Sequence, residues 1–194
     1  MGRGVESLST LRLFIATDPD AILKERMEDV VGSLKAPNDG VKWVRLDGIH
    51  LTIKFFGNID EKKIPKISEV SNSILKGVGD IKLKIRGLGT FPGGNRPRVI
   101  WVGIGGEVDR LAKVKGDIED ALYDLGYPKE ERSFNPHLTL GRVKGRLPVM
   151  ILEKIKEMRD VEVGDMVVGG FHLFKSDLRP TGAVYTPLEY YSLK

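Results

Sequence analysis

The feature that most constrains this sequence is a tetrapeptide pattern that occurs twice. Residues His50–Ile53 and His137–Leu140 both read His-Leu-Thr-aliphatic, and almost half of the 194-residue chain separates them. The chain contains three histidines, so the pattern accounts for two of them. Chance does not readily place one short motif at two of three histidines, and the spacing is that of one copy per half of a duplicated chain. The sequence therefore predicts two similar lobes.

The composition removes several classes of chemistry. The chain has no cysteine, which excludes a disulfide framework, a zinc ribbon, a thiol nucleophile and iron–sulfur ligation. Thirty-one Lys and Arg residues against 27 Asp and Glu residues give a formal net charge of +4. This small basic surplus permits an anionic ligand without by itself indicating a nucleic-acid-binding protein. The chemistry must come from His, Ser, Thr and the charged side chains.

The N-terminal residues and the apolar runs of the chain indicate the expected location of the protein. Residues 1–10 show no signal peptide, and we expect them to form a flexible tail before a single bilobal domain over residues 11–194. Charged residues interrupt every apolar run before it reaches the ~18 residues of a membrane span. We expect a cytoplasmic monomer with no membrane contact.

Apolar periodicity predicts strands and helices that alternate within each half, with Gly105-Gly106 as the boundary between the halves. The helices are short and two strand pairs resemble hairpins, which favours antiparallel pairing and an α+β fold over an α/β fold. The predicted strands are 12–16, 41–46, 50–56, 81–88, 98–104, 137–142, 166–175 and 184–193, and the predicted helices are 21–35, 64–74, 107–125 and 149–158.

The repeated motif predicts a site for acid–base chemistry. In a strand, residues two apart share a face, so each His projects beside its Thr while the intervening aliphatic residues point into a core. If the lobes face each other, two imidazoles and two hydroxyls meet in one cleft. One neutral His can then accept a proton while the other, protonated, donates one, and the Thr hydroxyls can bind phosphate oxygens. The alternative for each motif is an ordinary strand with a polar face.

The sequence resembles the two-histidine (2H) phosphoesterase superfamily, and most closely its LigT-like branch of RNA 2′,3′-cyclic phosphodiesterases, also called 2′-5′ RNA ligases. The resemblance covers nearly the whole chain, in the order and spacing of the matching stretches. These are Arg12–Asp18, His50–Gly57, Arg98–Gly103, Pro136–Arg142 and a C-terminal stretch that includes Leu173, Ser176, Gly182–Tyr185 and Leu188.

The resemblance implies antiparallel sheets that line a central cleft, with helices packed outside. It implies hydrolysis of RNA or nucleoside 2′,3′-cyclic phosphates to 2′-phosphomonoesters without metal or cofactor, and an ATP-independent reverse ligation. His50 would be the proton donor and His137 the proton acceptor, and Thr52 and Thr139 would contact the phosphate. The expected partners are RNA ends that carry a cyclic phosphate, or small cyclic nucleotides.

Two further basic residues are candidates for substrate binding. Lys54 shares strand parity with His50 and Thr52, so its ammonium group could reach the cleft or simply be solvated. Arg142 matches a family position near the phosphate or nucleotide, although simple alternation places it opposite His137. A β-bulge at Gly141 would reconcile the two.

Aromatic residues and turn arginines give weaker candidates. Phe14 and Phe56 could stack on a base, although a buried core role is favoured for each. Arg98, like Arg96, lies beside a Gly- and Pro-rich turn and could contact the RNA backbone or be surface charge. His172 lacks the following Thr, so we leave it outside the site.

Two other functions remain open from the sequence. A nucleotide- or RNA-binding module would keep the cleft without turnover, but the intact His and Thr of both motifs argue against it. A 2H phosphodiesterase that acts on a different small cyclic or 2′,5′-linked nucleotide would use the same four residues, because the motifs handle only the phosphate.

Overall fold

The computed structural model of the protein describes residues 10–94, 96–180 and 182–194. The tail expected at residues 1–10 lies outside the described residues, except for Thr10, which begins the first strand. None of the helices in the described part of the chain combines the length and the apolar composition that crossing a membrane requires.

Strands and helices alternate along the chain much as the periodicity predicts. The strands of the described residues are β1 (Thr10–Thr17), β2 (Val41–Trp43), β3 (Leu51–Asp60), β4 (Ile81–Phe91), β5 (Val99–Gly106), β6 (His137–Val143), β7 (Glu162–Val168), β8 (Gly170–Arg179) and β9 (Gly182–Ser192). The helices are α1 (Ala21–Leu34), α2 (Ile64–Leu75), α3 (Val108–Tyr123) and α4 (Val149–Glu157), with 3₁₀ turns at Leu46–Gly48 and Glu61–Lys63.

Local sequence signals explain where the helices begin and which face they bury. Asp20 caps α1, because its Oδ1 accepts a hydrogen bond from the backbone N–H of Leu23 at 2.8 Å. Pro65 lies in the first turn of α2, where backbone N–H groups have no partner within the helix, so the proline costs no hydrogen bond. The buried residues of α1 recur at the spacing of a single helix face and are Leu23, Met27, Val30, Val31 and Leu34.

Two antiparallel sheets form the body of the protein. The first sheet has the order β3-β1-β8-β9 and the second has the order β2-β6-β5-β4-β7. Helix α1 packs on β7, α2 packs on α3 and β9, and α3 contacts β3 and β4. The predicted α+β class and the antiparallel sheets with helices outside are confirmed.

The sheets do not divide at the boundary that the sequence predicts between the halves. Gly105 and Gly106 end β5 inside the second sheet, where Gly106 is opposite Leu83. Gly106 has a φ of 82°, and a Cβ there would lie 2.7 Å from the carbonyl oxygen of Lys82. The glycine is therefore required by a close strand approach. Each sheet combines strands from both halves of the chain.

Two predicted strands are wrong in their limits. Residues 166–175 are not one strand, because the chain leaves the second sheet at Val168 and enters the first sheet at Gly170. The strand predicted over 41–46 ends at Trp43, and the 3₁₀ turn at Leu46–Gly48 follows before β3 begins. Both departures carry the chain from one sheet to the other.

The two faces of the first sheet have different environments. On β1, Leu13 and Ile15 are fully buried in the large core shared with the helices. Phe14 and Ala16 alternate with them and form a small separate cluster with Phe174 on the other face. This second face is the one that looks toward the site described next.

Candidate active site

The two repeated motifs lie at one cavity of about 1050 Å³. His50 immediately precedes β3 and His137 is the first residue of β6, so the two sheets each contribute one motif. His50, Thr52, His137 and Thr139 all line the cavity, as strand alternation predicts. The volume is large enough for a nucleotide.

The same irregularity follows the threonine of each motif. On β3, Thr52 is opposite Ala16 and Lys54 is opposite Ile15. Ile53 therefore has no partner on β1 and is the extra residue of a bulge. On β6, the pairing passes from Thr139 to Gly141 in the same way, which leaves Leu140 as the extra residue. The duplication visible in the motif therefore extends to the backbone around it.

The bulge places Lys54 away from the cavity, contrary to the expectation from parity. Lys54 is opposite Ile15, a residue of the core face, and only 2% of it is exposed. Its Nζ lies 3.3 Å from the Glu119 carboxylate and donates to the carbonyl oxygen of Pro128 at 2.6 Å. Lys54 thus belongs to a buried ionic cluster beneath β3.

The corresponding bulge on β6 brings Arg142 into the cavity. Its neighbour Gly141 is buried, and a Cβ there would lie 2.7 Å from Val41 Cγ1 and 3.0 Å from the Trp43 ring. Arg98 also lines the cavity, from the segment before β5. Two guanidinium groups are therefore available beside the motifs, on the side formed by the second sheet.

Neither Phe14 nor Phe56 lines the cavity. Phe14 is 3% exposed and its ring lies 4.8 Å from the ring of His50, so it supports the imidazole from below. Phe56 is the extra residue of a second bulge on β3 and packs edge-on against Tyr127, with ring centroids 5.4 Å apart. It is directed toward the core. Phe55, between Lys54 and Phe56, is the aromatic residue of β3 that shares the cavity face.

His50 lies in an aromatic environment. Its ring centroid is 4.8 Å from Phe14 and 4.8 Å from Tyr185, which meets it edge-on. Burial lowers the pKa of His50 to about 4, and the positive charges of Lys24 and Arg142 act in the same direction. The imidazole is therefore neutral at neutral pH in the unliganded protein.

His137 is oriented by the backbone that precedes it. Its Nδ1 lies 2.8 Å from the carbonyl oxygen of Asn135. Because a carbonyl oxygen only accepts hydrogen bonds, Nδ1 carries the hydrogen and Nε2 of the neutral ring has a free lone pair. The ring of Phe91 meets the imidazole edge-on at 5.0 Å. The hydrogen bond thus fixes the orientation of the His137 ring at the cavity.

Several cavity residues were not singled out from the sequence. Tyr185 was part of a matching stretch but had no assigned role; burial raises the pKa of its hydroxyl, while Arg142 and Arg12 lower it in part. The loop before β6 carried no signal beyond its proximity to His137. The additional lining residues are Val44, Gly48, Phe91, Pro92, Val99, Glu130, Glu131, Arg132, Ser133, Phe134, Asn135 and Pro136.

The donor groups of the site are imidazoles, hydroxyls and guanidinium groups. Within residues 10–94, 96–180 and 182–194, no three His, Asp or Glu side chains are grouped closely enough to hold a metal ion. Such a donor set can bind an anion through its positive charges and hydroxyls, and it can move protons through its two imidazoles.

Comparison with known families divides the chain into two similar halves, as the repeated motif does. The model of LigT-like phosphoesterases matches the chain twice, over residues 18–101 and 102–185. Each match contains one of the His-Leu-Thr motifs. The chain belongs to the LigT-like phosphoesterase family. The resemblance seen in the sequence is confirmed.

Relatives in this LigT-like family share most of their length with the chain. The RNA 2′,3′-cyclic phosphodiesterase of Methanothermobacter thermautotrophicus is 35% identical over 184 residues, which cover 94% of this chain and 99% of the relative. The protein of the same name from Methanocaldococcus jannaschii is 36% identical over 176 residues, which cover 90% and 96%.

Solved structures show the same LigT-like architecture. A crystal structure of a protein from Thermus thermophilus matches with a TM-score of 0.80 at 27% identity and covers 94% of this chain and 98% of that one. Escherichia coli LigT, crystallised with 3′-AMP, matches with a TM-score of 0.76 at 22% identity and covers 95% and 99%. The second likeness concerns the fold alone.

Proposed function

We propose that the protein hydrolyses 2′,3′-cyclic phosphates at RNA ends and on nucleosides to 2′-phosphomonoesters, with the two motif histidines as acid and base. The observation that carries this proposal is the meeting of His50, Thr52, His137 and Thr139 at one cavity. The relatives named RNA 2′,3′-cyclic phosphodiesterase support the choice of substrate.

The reaction is an in-line displacement at phosphorus. Water attacks the phosphorus atom opposite O3′, a new P–O bond forms, and the P–O3′ bond breaks. A base takes one proton from the attacking water and an acid gives one proton to O3′. The product keeps its phosphate on O2′ and gains a free 3′-hydroxyl. Each proton transfer of this kind typically contributes 10²–10⁴-fold to the rate.

His137 has the properties of the base. Its Nδ1 hydrogen is engaged by the Asn135 carbonyl oxygen, so Nε2 is the atom that accepts the proton of water. After the transfer, the Asn135 carbonyl remains hydrogen-bonded to the imidazolium and stabilises its position. This agrees with the acceptor role that the family resemblance implies.

His50 takes the acid role once the substrate is bound. Unliganded, it is neutral at neutral pH, because burial and the nearby positive charges lower its pKa to about 4. A cyclic phosphate carries one negative charge, and an anion beside an imidazole raises the pKa of that imidazole. Substrate binding thus loads His50 with the proton that it then delivers to O3′.

The remaining groups bind the phosphate. The hydroxyls of Thr52 and Thr139 donate hydrogen bonds to the non-bridging oxygens, one from each sheet. Arg142 and Arg98 supply positive charge on one side of the cavity, where charge-assisted contacts to phosphate are strong. Acid–base catalysis by the histidines requires no metal ion in this scheme.

The same site joins two RNA ends when a 5′-hydroxyl replaces water as the nucleophile. Attack by the 5′-oxygen of a second RNA on the cyclic phosphate forms a P–O5′ bond and breaks the P–O3′ bond, which gives a 2′-5′ linkage without ATP. His137 accepts the proton of the 5′-hydroxyl and His50 donates one to O3′. A 5′-hydroxyl RNA and an RNA with a cyclic phosphate end should yield a longer product with that linkage.

Product analysis tests the hydrolysis directly. The protein is incubated with adenosine 2′,3′-cyclic phosphate in the presence of EDTA, and 2′-AMP is separated from 3′-AMP by chromatography. We expect 2′-AMP as the sole product. Formation of 3′-AMP would contradict the cleavage of P–O3′, and loss of activity with EDTA, restored by a divalent ion, would contradict the metal-free scheme.

A further inference from the structure

An exposed cation–aromatic pair lies on the cavity face of the first sheet. The guanidinium carbon of Arg12 lies 4.6 Å from the ring centroid of Phe55, and Phe55 is 41% exposed. In the described part of the chain, no carboxylate pairs with Arg12. A large aromatic ring and a guanidinium group thus lie together at exposed positions of this face.

The two bulges of β3 put Phe55 in this position. Its neighbours Lys54 and Phe56 face the core, whereas Phe55 is opposite Phe14, whose ring contacts His50. On β1, Arg12 is two residues from Phe14 and therefore on the same face. The pair shares the sheet face that supports the catalytic imidazole.

Tyr185 connects the pair to the cavity. Its ring meets Phe14 at 5.1 Å and His50 at 4.8 Å, both edge-on, and it lines the cavity itself. The positive charges of Arg12 and Arg142 both reach the Tyr185 hydroxyl, since each lowers its pKa. Phe14 is opposite Phe55 in the sheet, so the rings of Phe14 and Tyr185 lie between the exposed pair and the cavity.

We propose that Arg12 and Phe55 bind a nucleotide of the RNA chain that precedes the terminal cyclic phosphate. Single-stranded RNA is bound by aromatic rings and guanidinium planes on which bases stack, with positive charge for the backbone. Arg12 and Phe55 present both groups, and Phe14, which is opposite Phe55, contacts both His50 and the cavity residue Tyr185. The protein therefore prefers an RNA end to a cyclic mononucleotide. This inference rests on the proposed function.

Comparison of two substrates tests this subsite. We would measure kcat/KM for a short oligoribonucleotide with a cyclic phosphate end and for adenosine 2′,3′-cyclic phosphate. Phe55→Ala should lower the oligonucleotide value about tenfold to a hundredfold, from the loss of one stacked base. The mononucleotide value should change by less than about twofold, since this substrate does not reach the pair.

The salt dependence gives a second readout on Arg12. Loss of one phosphate contact to a single strand makes the slope of log(kcat/KM) against log[salt] less steep by about 0.7. We expect this for Arg12→Gln with the oligonucleotide and no change of slope with the mononucleotide. The variant keeps a polar side chain at an exposed position, so the fold is preserved.

A matched control is present at the C-terminal end of α3. Tyr123 is 59% exposed and has Lys129 Nζ 5.5 Å from its ring centroid, but it does not line the cavity. Tyr123→Ala should leave both substrates unaffected.

Three results would overturn the subsite: an unchanged oligonucleotide value in both Phe55→Ala and Arg12→Gln, equal losses on the two substrates, or the same loss in Tyr123→Ala. If the wild-type protein converts neither substrate, the proposed function fails first. That outcome is distinguishable from turnover of both substrates with no effect of the variants.

Discussion

The buried ionic cluster beneath β3 predicts a large cost for one substitution, Glu119→Gln. The Glu119 carboxylate lies 2.8 Å from Lys115 Nζ and 3.3 Å from Lys54 Nζ, and it accepts the backbone N–H of Glu130 at 3.1 Å. Lys54 and Lys115 are 2% and 5% exposed. Removing the carboxylate charge leaves two buried ammonium groups without the negative charge that balances them.

The expected magnitude follows from the burial of these groups. Breaking a buried ion pair by removal of one partner costs about 3–5 kcal/mol. For a chain of this size each kcal/mol shifts Tm by about 2–4 °C, so Glu119→Gln should lower Tm by about 6–20 °C. Lys115 keeps Glu130 Oε2 at 3.4 Å and Lys54 keeps the Pro128 carbonyl, which places the cost toward the lower end.

Urea unfolding followed by tryptophan fluorescence measures the free energy of unfolding. The matched control is Asp117→Asn on the same helix, because the Lys113–Asp117 pair is exposed and such pairs contribute about 0–1 kcal/mol. Glu119→Gln combined with Lys115→Met should cost less than the sum of the single changes. A cost below about 1 kcal/mol for Glu119→Gln, or full additivity, would refute the reasoning.

Three further predictions concern protonation and packing. NMR titration of His50 should give a pKa of about 4 in the free protein and a higher value with inorganic phosphate; no change on binding would contradict substrate-driven protonation. Burial alone would raise the pKa of Glu119, but the Lys115 and Glu130 N–H hydrogen bonds and the lysine charges lower it from 4.5. Its contribution is therefore fully present above pH 4.5 and is lost as the pH falls through the lowered pKa, so the stabilities of wild type and Glu119→Gln should converge only below that lowered pKa, and a constant gap would contradict this. Gly141→Ala should destabilise the fold by about 1–3 kcal/mol, because its Cβ would overlap Val41. It should also weaken substrate binding by the neighbouring Arg142. Wild-type stability of this variant would contradict the close contact.

The sequence predicts the part of the site in which regular strand alternation is kept in the structure. His50 with Thr52, and His137 with Thr139, are each two residues apart at the start of a strand, and no bulge intervenes. Alternation therefore places each pair on one face, and the duplication indicates that the two pairs meet. The motif carried this prediction without knowledge of the topology.

Beyond the threonines, alternation fails. One extra residue in β3 turns Lys54 toward Glu119 and another turns Phe56 toward Tyr127, while Phe55 takes the cavity face. The sequence has no local signal for the first of these bulges, since Ile53 is an ordinary strand residue. The second is followed directly by Gly57, which has a φ of 76°. On β6, the conflict between alternation and the family position of Arg142 did suggest a bulge, and Gly141 marked its place.

Long-range pairing is the other information that local patterns lack. The run over residues 166–175 reads as one strand because both parts are apolar and alternate, yet β7 pairs with β4 and β8 pairs with β1. Two consecutive glycines, Gly169 and Gly170, mark the change of sheet, and the prediction of one strand passed over this local signal. The cavity loop over residues 130–136 is likewise placed by tertiary contacts such as that of Glu119 with the Glu130 backbone.

The central claim is that one histidine from each half of the chain performs the proton transfers. The most direct test measures turnover of adenosine 2′,3′-cyclic phosphate by His50→Ala, His137→Ala and His172→Ala. His172 is the control, because its ring packs 4.8 Å from Tyr190 and does not line the cavity. We predict that each motif variant loses about 10²–10⁴-fold in kcat, while His172→Ala stays within about twofold of wild type. Near-wild-type turnover in either motif variant, with the fold intact by circular dichroism, would contradict the account.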